Sequence, residues 1–240
     1  MKKTVLIITA LAALLAASCA KQGNAEGSVS FRLEEGAVTE VLTKGSVSDY
    51  ATLPRPADFS LSVKNSLGAV IYDGLLGDWN SDAPLAAGNY SATVAYGDPS
   101  EEGPGKPSFE GAANFGVLGG QTTEVKVTAN LANCIVKIDC TEAFKNYFPE
   151  RSFVITTPES TSGFTYGDKA LFVAYQWTVS GTLKTQSGAS YDLGEHSFKG
   201  DPATCYTVKF DVSNVGGVII TISFNDNVQT VKLGDIELNS

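Results

Sequence analysis

The chain has 240 residues, with 17 Lys and Arg against 26 Asp and Glu, one His, four Cys, 43% apolar side chains and a net charge of −9. This is enough for one large or two small packed domains. The acidic balance excludes nucleic acid, which is held by basic side chains on phosphates, and argues against peripheral adhesion to anionic lipid.

In chain order, Met1-Lys2-Lys3 is a short basic start, and Thr4 to Ala17 is an apolar run without a charge. Small residues, Ala16-Ala17-Ser18, then precede Cys19. Together these make a secretory signal over residues 1–18. It is too short for a spanning helix, which needs ~20 apolar residues. Cys19 directly after Ala-Ala-Ser resembles the lipobox of bacterial lipoproteins, in which the cysteine is acylated and becomes the N-terminus. Leu15 stands one place further upstream than is usual there. Ala20 points to the outer rather than the inner membrane. Several acyl chains on Cys19 anchor firmly, since each buried CH2 contributes ~0.8 kcal/mol. Removing residues 1–18 takes away Lys2 and Lys3 and no acid, so the remaining 222 residues carry a net charge of −11.

Residues 19–27 are polar and small and read as a lipidated tether. From Ser28 onward the dominant signal is period-two alternation between Gly, Pro, Asn and Asp clusters. Phe59, Leu61 and Val63 alternate with polar residues, as do Tyr90, Ala92, Val94 and Tyr96, then Val125 and Val127. Cys134 and Cys140 share one predicted strand and lie ~20 Å apart along it, too far for a disulfide. A bond from either to Cys205 stays open. Thr141 to Phe148 could form one or two helical turns before Pro149 stops it. Further strands run over Leu171–Val179, Tyr206–Val212, Val218–Phe224, Val228–Leu233 and Asp235–Leu238. About fourteen strand candidates with polar turns, such as Asn65-Ser66-Leu67-Gly68, predict an all-β chain. The expected architecture is two tandem antiparallel β-sandwich domains of transthyretin or immunoglobulin type, at 28–130 and 131–240. A single continuous sandwich is the alternative.

The middle of the chain carries a more specific pattern. Leu85-Ala86-Ala87-Gly88-Asn89-Tyr90 opens a strand ending at Ala95-Tyr96-Gly97. Pro107-Ser108-Phe109-Glu110-Gly111, Phe115-Gly116-Val117, Gly120-Gln121-Thr122-Thr123-Glu124-Val125 and Leu131-Ala132-Asn133 with Val136 follow. This order resembles a family of lipoproteins from Bacteroides-type gut bacteria, a domain of unknown function over residues ~27–240. That family is similar in architecture to fimbrillin-like pilus subunits and anchors. The resemblance implies a lipid-linked tandem β-sandwich at the outer membrane, working in adhesion. No Arg-rich processing site precedes the body, since Lys44 and Arg55 are isolated. An anchored accessory, tip or surface-binding protein is therefore expected rather than a cleaved structural pilin.

Catalytic signals are thin. The one histidine, His196, lies between Glu195 and Ser197. Neighbours in an extended chain point to opposite faces, so the three do not converge. Glu34-Glu35 and Glu101-Glu102 read as solvated loop charges rather than as a glycosidase pair. The stretch Asp73 to Asp82 lacks the spacing of the common calcium loop. We expect no catalytic residue, metal or cofactor. The ligand-facing candidates are Trp79 with Asp78 and Asn80 in a polar turn, and Tyr96 near a loop. Such an aromatic beside Asp and Asn suits a sugar, although Trp79 folding back over a sandwich end is the competing reading. Trp177 shares a face with Leu171, Val173, Tyr175 and Val179 and reads as core. The expected partners are the membrane through lipid on Cys19, a glycan or a host or bacterial surface protein, and pilus subunits. Pilus subunits would join through a terminal strand added to a neighbour's sheet edge, unless that strand is tucked into its own sheet.

Overall fold

The structure is a computed structural model. It describes residues 25–35, 38–39, 44–212, 218–224 and 227–232, with side chains for 25–34 and 46–212. Cys19, the leader and Asp235–Leu238 lie outside the described residues. The first half contributes β1 (Glu26–Glu35), β2 (Ser60–Asn65), β3 (Val70–Leu75), β4 (Gly88–Tyr96), β5 (Phe109–Val117) and β6 (Thr122–Leu131). Next come β7 (Cys134–Cys140), α1 (Glu142–Tyr147), β8 (Glu150–Thr156), β9 (Leu171–Val173) and β10 (Gln176–Lys184). The chain closes with β11 (Ser190–Asp192), β12 (His196–Lys199), β13 (Cys205–Val212), β14 (Val218–Phe224) and β15 (Asn227–Lys232). The chain is all-β, as its alternation predicts.

A seven-stranded sheet runs β3-β2-β4-β5-β6-β1, with Leu85–Ala86 added at the β1 edge. Alternation along β6 buries Val125, Val127, Ala129 and Leu131 and exposes the residues between them. Leu61 and Val63 of β2, and Ala92 and Val94 of β4, join them in one core with Val29 of β1. Each fully buried Val or Leu contributes ~1.5–3 kcal/mol. Val47 enters from a short 3-10 turn whose Ser46 and Asp49 cap each other's backbone N–H groups.

The second half builds two sheets. One runs β15-β14-β13-β7-β9, with Gly103–Pro104 at its far edge. The other runs Phe164–Thr165, β8, β10, β11, with β12 also paired to β10. They meet across a core in which the Phe153 ring of β8 stacks on Phe210 of β13 at 4.6 Å. Thr141 Oγ accepts the Phe144 N–H and starts α1, and Phe144 packs on Phe210.

Cys134, Ile135 and Val136 are all buried, which marks a strand covered on both faces. Ile135, Phe172 and Cys205 join the first core. Cys134, Val136, Leu171, Val173 and Tyr206 join the second. The middle of the β7 sheet thus separates the two cores.

Two expectations are corrected. The sheets are mixed, not purely antiparallel: β1 pairs parallel with β6 from Ser28–Thr122 to Glu35–Ala129, and β7 pairs parallel with β13. Short turns constrain only strands adjacent in sequence, and these partners are far apart in the chain. The boundary expected after residue 27 also falls inside β1. Glu26 and Gly27 pair with Ala86 and Leu85, and a Cβ on Gly27 would lie 2.4 Å from the Leu118 carbonyl oxygen.

Candidate functional site

Trp79 is held in place. Its Nε1–H donates to the Val29 carbonyl at 2.8 Å, and its ring meets Phe31 and Tyr72 edge-on, each at 5.1 Å. A half-buried indole with its N–H satisfied ties the 76–84 loop to β1. Asp78 and Asn80 flank it in the open, and Asn80 Oδ1 accepts the Asp82 N–H at 3.0 Å. Tyr96 lies elsewhere, half-buried against Phe59, in a cleft of about 430 Å³ with Thr52, Asp98, Glu101 and Lys106. Trp79 is not among the residues lining that cleft, so the four candidates do not form one pocket.

The cleft at Tyr96 belongs to a larger feature that the sequence did not reveal. The 97–107 loop leaves β4, crosses to the second half and returns to β5. Gly103–Pro104 pairs antiparallel with Leu171–Phe172 and extends the β7 sheet. Gly97 has φ +72, and a Cβ there would lie 2.7 Å from the Pro107 carbonyl oxygen, so the turn requires glycine. Glu102 accepts the Ala174 N–H at 2.5 Å and the Thr157 hydroxyl. Lys106 bonds Glu101 at 2.7 Å, and this bond and charge hold its pKa above the ordinary lysine value. Asn133 Nδ2 donates to the Lys106 carbonyl at 3.0 Å.

Beyond Gly105 lies a second cleft of about 570 Å³, lined by Asp49, Tyr50, Lys137, Tyr166, Asp168 and Lys169 among others. Lys137 sits 4.8 Å from the Tyr50 ring centroid and donates to its hydroxyl at 3.3 Å. Burial raises the Tyr166 phenol. Phenols, lysines and carboxylates thus flank both sides of one stapled loop, at the junction of the two cores. Such junctions favour ligand sites. The chemistry on offer is hydrogen bonding, ring stacking and charge pairing.

Groups of catalytic residue type are engaged otherwise. His196 Nε2 lies 2.9 Å from the Leu193 carbonyl oxygen, and Ser197 Oγ pairs with Thr178 Oγ1 at 2.9 Å. Glu34 lies 3.7 Å from Lys126 and 3.8 Å from Arg32. Among the described residues no three His, Cys, Asp or Glu gather as a metal would need. Cys134, Cys140 and Cys205 are buried and none is in a disulfide. Burial pushes the Cys134 thiol up to about 12 and Cys140 to about 11, which leaves both protonated and unreactive at neutral pH. Among the described residues no helix is long and apolar enough to cross a membrane.

The fold defines an all-β chain with two cores and open polar clefts. The chain belongs to the family described as Domain of unknown function (DUF4493), whose model matches residues 25–240. That bears out the family resemblance carried by the 85–136 pattern. No curated protein matches the sequence. Among solved structures, the chain is similar to a fimbrial assembly protein from Parabacteroides distasonis at 12% identity, TM-score 0.41, covering 72% of this chain and 90% of that one. It is similar to the fimbrial anchor protein Mfa2 from Porphyromonas gingivalis at 9% identity, TM-score 0.38, covering 85% and 98%. A protein of Bacteroides eggerthii assigned provisionally to cell adhesion matches at 8% identity, TM-score 0.40, covering 87% and 96%.

Proposed function

We propose that this is a non-catalytic lipoprotein of the outer membrane, displayed at the cell surface and working in adhesion or recognition. The observation that carries this reading is the leader pattern of residues 1–18 followed by Cys19, with six residues between Cys19 and the Glu26 start of β1. Those six residues span at most ~20 Å, so lipid on Cys19 holds the folded body close to the membrane. Two tandem β-sandwich domains, 28–130 and 131–240, then present loops to the surroundings. Asp78 and Asn80 on the Trp79-fixed turn, and Tyr96 in its cleft, are the proposed ligand-facing residues. The full chain should incorporate labelled palmitate and sediment with outer membrane. Cys19→Ala should abolish both, and a lipid-free but membrane-bound variant would end the anchoring argument. Cells displaying the chain should adhere to components of a glycan and matrix-protein array.

A second reading is an anchor or accessory subunit that accepts or donates a strand in a fimbria. It is favoured by the sheet edges. β15 is the outer strand of its sheet. β3 is the outer strand of the other, with Val70, Ile71 and Leu75 exposed, and such edges are templates for pairing. Truncation after residue 226 should then stop assembly while the monomer still folds.

A further inference from the structure

We infer that the outer face of the second half carries a saccharide site, in the groove of about 590 Å³ between the end of β8 and strand β12. This rests on the recognition reading and places it at a site outside the candidates above. Thr156 of β8 lies opposite Thr178 of β10, and Thr178 lies opposite Ser197 of β12. Three hydroxyl side chains therefore form a row across three strands, with Thr178 Oγ1 and Ser197 Oγ hydrogen-bonded to each other at 2.9 Å. The next position pairs Gln176 with Lys199, and Glu195 stands at the rim.

A polar outer face alone is ordinary for a sheet. This end differs from the rest of the same sheet. At the far end of β8 and β10, Glu150 and Lys184 face each other and form an ion pair at 2.9 Å. The side chains of Gln176, Glu195 and Lys199, by contrast, line a concavity and make no hydrogen bond or ion pair among the described residues. The register places Trp177 opposite Phe198, between the Gln176–Lys199 and Thr178–Ser197 pairs, so both rings turn to the core face, where they pack at 4.5 Å. Trp177 is 1% exposed, and its Nε1–H is buried without a partner. A buried unpaired donor costs ~1–3 kcal/mol.

Hydroxyls that donate and accept, a free amide and one charge of each sign match a neutral polyol better than an ion. A sugar offers hydroxyls to the row and to the Gln176 amide. One Glu and one Lys leave no net field to select an acid or a base.

The test uses the full chain in detergent, titrated calorimetrically with cellohexaose, mannohexaose and hexagalacturonate, beside an adhesion arm with immobilised fibronectin. A neutral hexasaccharide should bind. Thr178→Val combined with Ser197→Ala should weaken it about tenfold, ~1.4 kcal/mol, with Tm unchanged. Gln176→Ala with Lys199→Ala should do the same, and Tyr96→Phe should not. Neutral binding that survives both double variants overturns the groove, as does binding confined to hexagalacturonate. Binding to fibronectin with no hexasaccharide bound overturns the groove and leaves recognition standing. Binding to neither overturns both.

Discussion

Glu101 and Glu102 are adjacent in sequence and should behave very differently when removed. Glu101 makes an exposed pair with Lys106, with side-chain exposures of 62% and 53%, and such pairs add little to stability. Glu102 is half-buried, and its carboxylate accepts the Ala174 N–H and the Thr157 hydroxyl from the second half. A hydrogen bond to a charged group contributes ~1.5–3 kcal/mol. Partial exposure puts each bond at the lower end, so Glu102→Ala should cost ~2–4 kcal/mol. For a chain of this length each kcal/mol lowers Tm by ~2–4 °C, which gives a drop of roughly 4–16 °C. Glu102→Gln keeps an acceptor for Ala174 and should lose about half as much. Glu101→Ala should leave Tm unchanged. Because Glu102 joins the loop between β4 and β5 to the second half, its loss should also broaden the calorimetric transition toward two components. Equal shifts for the two alanine variants would refute the view that Glu102 fastens the halves together.

Three other outcomes follow from named contacts. Trp79→Phe keeps the ring contacts but loses the bond to Val29, and should cost ~0.5–1.5 kcal/mol by chemical denaturation; no loss would mean the indole N–H does not hold β1. Gly181→Ala places a Cβ 2.3 Å from the Ser152 carbonyl oxygen and should disrupt the β8–β10 ladder, whereas Gly167, with nothing within 4 Å, should accept alanine with Tm unchanged or raised. The Cys134 thiol, raised to about 12 in the fold by burial, titrates near ~8.5 when unfolded. The folded state then holds its proton over a range where the unfolded state has lost it. Stability is fully present below the unfolded value and is lost as pH rises toward 12. Alkaline melts of Cys134→Ala should fall less steeply than those of the parent chain, and parallel curves would remove Cys134 as the cause.

Local pattern carried the strands and little of their pairing. The alternation of β6 and the Thr141–Phe148 helix ending before Pro149 were readable because side-chain period and capping are properties of neighbouring residues. The Asn65–Gly68 turn was readable for the same reason: Asn65 Oδ1 accepts the Leu67 and Ala69 N–H groups, and Gly68 takes φ +80. The parallel partner of β1 left no local trace, because alternation shows which face is buried and not which strand lies alongside. Trp79 shows the same limit from the side of function. A Trp between Asp78 and Asn80 looks presented to solvent until Val29, fifty residues upstream, supplies its acceptor. Glu102 is the clearest instance. In a Gly- and Pro-rich stretch it has the composition of a solvated loop, yet its partners lie 55 and 72 residues downstream. The only local hint was the spacing of Gly97, Gly103 and Gly105, all of which take positive φ. Three such glycines in nine residues describe a path bent too tightly for a free loop, and a loop bent at fixed points is one that something else holds.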